Sequence, residues 1–259
     1  MGDGEQATTF LSIRHKIVFI GNPTAGKTSL LNRICNDQFL KDYDSTIGVD
    51  FFSKTVFYNE TIFKLQLWDS AGQEKYRALI PSYIRGASII FIIYDLNNKE
   101  SFDAVNNWLG CVNQYTNKEQ VILVLVGNKK DLERKVTFEE GQNLAKKEKM
   151  LFFEASAKTG EGVVEMFFGS FVLIDFFNNK RKGDNNNELV KDLIDQNLTG
   201  KSRTQEKSVT DEISRNQLID KQDNNVNQNL ESKGNLNNEN IIKISADNNN
   251  KKNKKKCDC

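Results

Sequence analysis

Gly21-Asn22-Pro23-Thr24-Ala25-Gly26-Lys27-Thr28 stands between an apolar run, Ile17-Val18-Phe19-Ile20, and a stretch with helical patterning that opens near Lys27. A glycine-bounded loop entering a helix turns successive backbone N–H groups toward one point, and the helix N-terminus adds about half a positive charge there. Polyphosphate is the ligand that suits such a nest. Lys27 is placed to reach the outer phosphates and the Thr28 hydroxyl to ligate Mg²⁺, a hard cation that keeps several waters and takes few protein oxygens. The same strand–loop–helix unit implies an α/β sheet whose ligands bind beyond the carboxyl ends of its strands.

Working outward, apolar runs at 16–20, 49–57, 62–68, 89–94, 121–126 and 151–153 predict six strands, several of them apolar throughout, as in a sheet covered on both faces. Helical stretches near 27–35, 75–85, 101–115, 137–149 and 161–177 alternate with them. Only Tyr58-Asn59-Glu60-Thr61 separates the second and third strands, which is too short for a crossover helix and makes that pair antiparallel. The predicted fold is α/β: a six-stranded, mostly parallel sheet with one antiparallel strand, and five helices on both faces. The last helix, through Val163-Val164-Glu165-Met166-Phe167-Phe168 to Phe176-Phe177, is apolar on nearly every face. Too short for the roughly 20 residues of a membrane span, it is read as core-packed with one greasy outer face, the alternative being a surface that touches membrane or a partner.

Composition changes near Asn178. Beyond it Asn, Lys, Asp, Glu, Gln and Ser dominate, and such a tract does not bury enough apolar surface to offset roughly 1–2 kcal/mol of backbone entropy per residue. The expected organisation is a flexible N-terminus over 1–12, a folded domain over 13–177, a disordered tail over 178–256 and a terminal motif at 257–259. Four cysteines (Cys35, Cys111, Cys257, Cys259) make no disulfide framework, in keeping with a reducing cytosol. No secretory signal is read at the start, and Gln6 argues against myristoylation at Gly2. A net charge of +1 conceals five lysines at 251, 252 and 254–256. Nothing in this layout suggests a nucleic-acid partner. His15 is the sole histidine, which excludes a histidine-based metal site or triad.

Two further segments are delivered to the carboxyl edge of the sheet. Asn128-Lys129-Lys130-Asp131 follows the fifth strand, where the Asp131 carboxylate can accept from guanine N1–H and its exocyclic amine. Adenine lacks that donor pair, and an unpaired buried carboxylate costs several kcal/mol, so Asp131 selects guanine. Asn128 braces loop and base, and the Lys129 stem lies over the purine face. Glu154-Ala155-Ser156-Ala157-Lys158 follows the last strand, with the Ala157 N–H as donor to the guanine carbonyl. Asp69-Ser70-Ala71-Gly72-Gln73-Glu74 and Thr46 are the expected sensors of the terminal phosphate: Asp69 through a Mg²⁺-bound water, Thr46 on the metal, Gly72 by its N–H, and Gln73 orienting the attacking water.

These blocks resemble the small Ras-like GTPases and, within them, the Rab family, over about residues 13–177. The Rab-like pieces are Ile47-Gly48-Val49-Asp50-Phe51, Lys64-Leu65-Gln66-Leu67-Trp68-Asp69, Tyr76-Arg77-Ala78-Leu79-Ile80-Pro81-Ser82-Tyr83-Ile84-Arg85-Gly86-Ala87 and Tyr94-Asp95. Ile80 to Arg85 is most similar to the Golgi-associated branch that acts in retrograde transport. The resemblance implies nucleotide contacts from Asn22 through Ser29 (Asn22, Pro23, Thr24, Ala25, Gly26, Lys27, Thr28, Ser29), from Phe39 edge-on to guanine, and from Tyr43, Thr46, Gly72, Asn128, Lys129, Asp131, Ser156, Ala157 and Lys158. It implies catalysis by Gln73 and Lys27, Mg²⁺ at Thr28, Thr46 and Asp69, and an effector surface at Ile47, Phe51, Trp68 and Tyr83. Cys257-Asp258-Cys259 resembles the terminus on which Rabs carry two geranylgeranyl groups; two lipids anchor stably where one is marginal, and each nearby lysine adds about 1 kcal/mol against an anionic leaflet. The implied partners are GTP and GDP, an exchange factor, an activating protein, a dissociation inhibitor with a prenylation escort, and effectors. The implied location is the cytoplasmic face of Golgi or associated vesicle membranes, with a cytosolic pool.

The chain departs from the family pattern at three points. Pro23 removes one N–H from the phosphate loop and fixes φ near −65°, Ser70 stands where Thr is usual, and the tail is long and Asn-rich for a Rab. Pro23 supports an alternative, a non-catalytic adaptor that stays nucleotide-bound. A phosphate-loop kinase would need an adenine pocket, which Asn128 and Asp131 oppose.

Overall fold

All six apolar runs form strands of one sheet. The computed structural model describes residues 11–41, 46–58, 61–72, 78–117 and 120–182, in the order β1 (Leu11–Gly21), α1 (Lys27–Asn36), β2 (Val49–Tyr58), β3 (Thr61–Ser70), α2 (Ile80–Ile84), β4 (Ile89–Asp95), α3 (Lys99–Asp103), α4 (Val105–Tyr115), β5 (Ile122–Asn128), α5 (Phe138–Glu148), β6 (Leu151–Glu154) and α6 (Val163–Lys182). Strand order is β2-β3-β1-β4-β5-β6. All neighbours are parallel except β2 and β3, which run antiparallel from Val49↔Ser70 to Tyr58↔Thr61.

The period-2 geometry of a strand sends successive side chains to opposite faces, and β1 shows it plainly. Ile17 and Phe19 pack with Leu30 and Leu31 of α1 and Met166, Phe167 and Phe171 of α6 on one face. Val18 and Ile20 pack with Trp108, Leu109 and Val112 of α4 and Ala145 of α5 on the other. β4 is buried at every position, the signature of a central parallel strand. Such strands must end at a common edge, and β1, β3, β4 and β5 deliver Gly21, Ser70, Asp95 and Asn128 there.

Several boundaries differ from those expected. β1 starts at Leu11, inside the segment read as flexible, because β3 offers it a parallel partner from Leu11↔Thr61 onward. α6 continues past residue 177 to Lys182. The helix expected over 101–115 begins at Lys99, where the Asn98 side chain accepts from the Ser101 N–H, and is divided by a turn at Ala104. Of the helix expected over 75–85, the described part is Ile80–Ile84. The rest of the 178–256 tail and the 257–259 motif lie outside the described residues.

Met166 to Ile174 of α6 are buried without interruption, so the core-packed reading applies there, and over those residues no greasy outer face is exposed. Among the described residues, no helix is long and apolar enough to cross a membrane.

Candidate functional site

The phosphate loop is held open by glycine and closed onto its neighbours by asparagine. Gly26, the N-cap of α1, has φ 90°, and a Cβ there would lie 2.2 Å from Asn128 Nδ2. That space lets Asn128 Nδ2 donate to the Ala25 carbonyl at 2.9 Å, while its Oδ1 accepts from the Ala157 N–H at 3.2 Å. One side chain at the end of β5 thus ties the phosphate loop to the loop after β6. The Ala157 N–H expected to meet the guanine carbonyl is engaged by Asn128 here.

Lys27 is 6 % exposed, and its Nζ donates to the carbonyls of Gly21 (3.1 Å) and Asn22 (3.0 Å). Burial pushes its ammonium down to about 8, against the opposing pull of Asp69. An arriving polyphosphate would add negative charge beside this buried cation, so binding would favour the protonated form.

Next to it, Thr28, Thr46 and Asp69 converge. The Thr28 hydroxyl donates to Asp69 Oδ2, Thr46 Oγ1 lies 3.0 Å from Thr28 Oγ1, and Thr46 Oγ1 is 3.4 Å from the same carboxylate oxygen. Asp69 is fully buried, and its Oδ1 has no hydrogen-bond partner. Burial raises its carboxyl to about 6, a shift that the Thr28 bond and Lys27 oppose. An orphaned carboxylate oxygen beside two hydroxyls is an all-oxygen donor set, and it fits a hard divalent cation such as Mg²⁺. When bound, the ion would neutralise charge on the phosphate oxygens.

At the far end of the site, Asp131 Oδ1 accepts from Ser156 Oγ at 2.6 Å, and Lys158 Nζ lies 3.6 Å from Oδ2. Lys129, at φ 64°, anchors its Nζ on Asp95 Oδ2 at 2.7 Å. The head group is thereby tethered while the residue lines the cavity.

Both ends open into one cavity of about 410 Å³, within the usual range for small-ligand sites. Of the residues singled out by sequence, Pro23, Thr24, Gly26, Lys27, Thr28, Ser29, Phe39, Thr46, Gly72, Asn128, Lys129, Asp131, Ala157 and Lys158 line it. Ala25 and Ser156 are buried behind the wall, and the Asn22 carboxamide oxygen turns to accept from the Trp108 indole N–H at 2.9 Å. Tyr43 and Gln73 lie outside the described residues. Leu40, Lys41 and Leu132 also line the cavity, and Asp95 holds Lys129. Sequence reasoning missed all four as site residues, although Asp95 carried a signal as a carboxylate ending the fully apolar β4.

Away from the cavity, three of the four expected effector residues, Phe51, Trp68 and Tyr83, form one aromatic cluster. Phe51 is 56 % exposed and packs edge-on to Trp68 with centroids 4.4 Å apart, and Tyr83 lies 6.1 Å beyond. Lys16 Nζ sits 3.8 Å over the Trp68 ring, and Ile47 is 81 % exposed.

A nucleoside polyphosphate answers both ends of this cavity, and the order of loops along the sheet edge makes the chain a phosphate-loop GTP-binding protein of the small-GTPase switch class. Residues 16–174 match the model of the Ras family; more than half of the length is covered, and the chain belongs to that family. The family binds GTP and GDP, typically with Mg²⁺.

Proposed function

We propose that this chain is a Rab-like, membrane-tethered switch that hydrolyses GTP to GDP slowly and recruits effectors in the GTP state, in vesicle trafficking that includes Golgi retrograde transport. The observation that carries the switch is the meeting of Thr28, Thr46 and Asp69 from three separate segments, which a bound metal and terminal phosphate would hold together. Catalysis would be positioning plus electrostatics. Lys27 and the loop N–H groups stabilise phosphoryl charge, Gln73 places water, and a partner protein supplies a factor on the order of 10³–10⁵. Exchange and activating factors, a dissociation inhibitor and a prenylation escort are the partners this role needs.

The Phe51–Trp68–Tyr83 cluster, with Phe51 exposed and the two others half-buried, supports the Rab-like assignment, since aromatic anchors contribute binding at low entropy cost. Ile80 to Arg85 supports the Golgi branch, and Cys257 and Cys259 support dual prenylation on the cytoplasmic leaflet. As an ideal coil of about 5–6 Å × √n, a tail of about 80 residues would set the domain near 50 Å from the membrane.

One observation favours the locked adaptor. A Cβ on Gly72 would lie 2.4 Å from the Pro23 nitrogen, so the residue lacking an N–H sits directly against the phosphate sensor. Single-turnover GTP hydrolysis, with and without a lysate source of activating protein, separates the two. Turnover that accelerates with lysate supports the switch; no hydrolysis in either arm leaves the adaptor. Capture with the full chain loaded with a non-hydrolysable GTP analogue, against GDP, tests effector recruitment.

A further inference from the structure

Arg33 lies on α1, outside the cavity, yet its guanidinium grips both walls that would enclose the base. Nε donates to the Ala157 carbonyl at 3.0 Å and Nη2 to the Lys158 carbonyl at 3.0 Å. Nη1 donates to the backbone carbonyl of Asp37 at 2.8 Å and to its Oδ1 at 2.9 Å. The stem passes Gly160, where a Cβ would come within 3.9 Å of Arg33 Cδ, and the side chain is 17 % exposed.

In a trans peptide the carbonyl and the following N–H point in opposite directions. Holding the Lys158 carbonyl toward α1 therefore turns the Thr159 N–H the other way, where it donates to Ser156 Oγ at 3.1 Å. Ser156 Oγ in turn donates to Asp131 Oδ1 at 2.6 Å. Asp131 is the carboxylate that would read the guanine N1–H and exocyclic amine. On the opposite wall Asp37 closes α1 at φ 51°, and Phe39, two residues on, lines the same cavity. The exposed Asp37 carboxylate contributes little; the three backbone carbonyls are each met by a different nitrogen of a rigid, planar group, a spread that the single nitrogen of an ammonium does not have.

We propose that Arg33 is a positioning residue for base selection. It touches no nucleotide, but through Ala157, Lys158, Thr159 and Ser156 it fixes Asp131, and through Asp37 it fixes the segment carrying Phe39. The proposal rests on the guanine-nucleotide reading of the cavity.

The test measures dissociation of GDP and of inosine diphosphate, which lacks the exocyclic amine, from full-length wild type, R33Q and R33K, with melting temperatures in parallel. In R33Q, GDP dissociation should rise by about tenfold, equivalent to about 1.4 kcal/mol, and inosine diphosphate dissociation by much less, so the preference for the guanine amine shrinks. R33K should recover part of the slow GDP release but not the full preference. Unchanged GDP release in R33Q overturns the proposal. Equal acceleration of both nucleotides with a lowered melting temperature also overturns it, because that is general loosening. Wild type that retains neither nucleotide removes the guanine reading itself and the inference with it.

Discussion

Lys27 and Asp69 face each other in the site with ionisations moved in opposite directions by the same cause, removal from water. Asp69 is raised to about 6 against an ordinary 3.8. Between about pH 4 and 6 the ligand-free fold thus keeps a proton that the unfolded chain has released, so stability must fall as pH rises through that window. Melting temperature against pH for ligand-free D69N and wild type checks this: the wild type should lose stability across that window and D69N should lack the slope. Lys27, lowered to about 8, has the complementary effect on binding: nucleotide affinity should fall as pH rises above 8, with proton uptake on binding seen by calorimetry in buffers of different ionisation heat. Gly72 supplies a steric prediction. Its Cβ would meet the Pro23 nitrogen at 2.4 Å and the Asn22 carbonyl carbon at 2.6 Å, both backbone atoms with no freedom to yield. G72A should therefore keep GDP but bind a non-hydrolysable triphosphate at least about tenfold more weakly, the scale of one lost hydrogen bond to a charged group; titration calorimetry with both nucleotides decides it.

At the scale of elements, local chemistry marks the ends and packing fixes the rest. α5 opens with a capping box in which the Glu140 N–H donates to Thr137 Oγ1 at 3.2 Å and the Thr137 N–H donates to Glu140 Oε2 at 2.8 Å. Lys99 binds the same carboxylate, and together with the cap this holds Glu140 down to about 2. T137A should cost about 1 kcal/mol, lowering the melting temperature by about 2–4 °C for a domain of this size, with nucleotide release unchanged. The antiparallel β2–β3 pair was legible because four residues between apolar runs permit no crossover. The start of β1 at Leu11 was not, because Leu11 and Ser12 become strand only through pairing with Thr61 and Ile62, far along the chain. The turn at Ala104 was likewise hidden, since no proline or glycine marks it. α6 lacks an amphipathic stripe, so its burial over 166–174 is a property of the packing rather than of its pattern.

For the whole molecule, the proposed membrane tether is tested apart from the folded domain. C257S combined with C259S should move the cellular protein from the membrane fraction to the supernatant, with either single variant intermediate, because one lipid chain binds only marginally; fractionation with mass spectrometry of the terminal peptide reads it, and two free thiols in the wild-type protein would reject the tether. The amino-acid sequence alone determined the glycine-bounded loop at the end of β1, the order of strands and helices along the chain, and the choice of Thr28, Thr46 and Asp131 as cavity residues. Each is a short-range pattern whose chemistry is complete within a few residues of a strand end. Only the tertiary structure decided how these pieces brace one another. Asn128 reaches Ala25 across 103 positions, and Arg33 reaches Ala157 across 124. Lys129 finds Asp95 and Asn22 finds Trp108 by the same route. Such contacts follow from parallel strands ending at one edge of a sheet, a proximity that spacing along the chain does not encode.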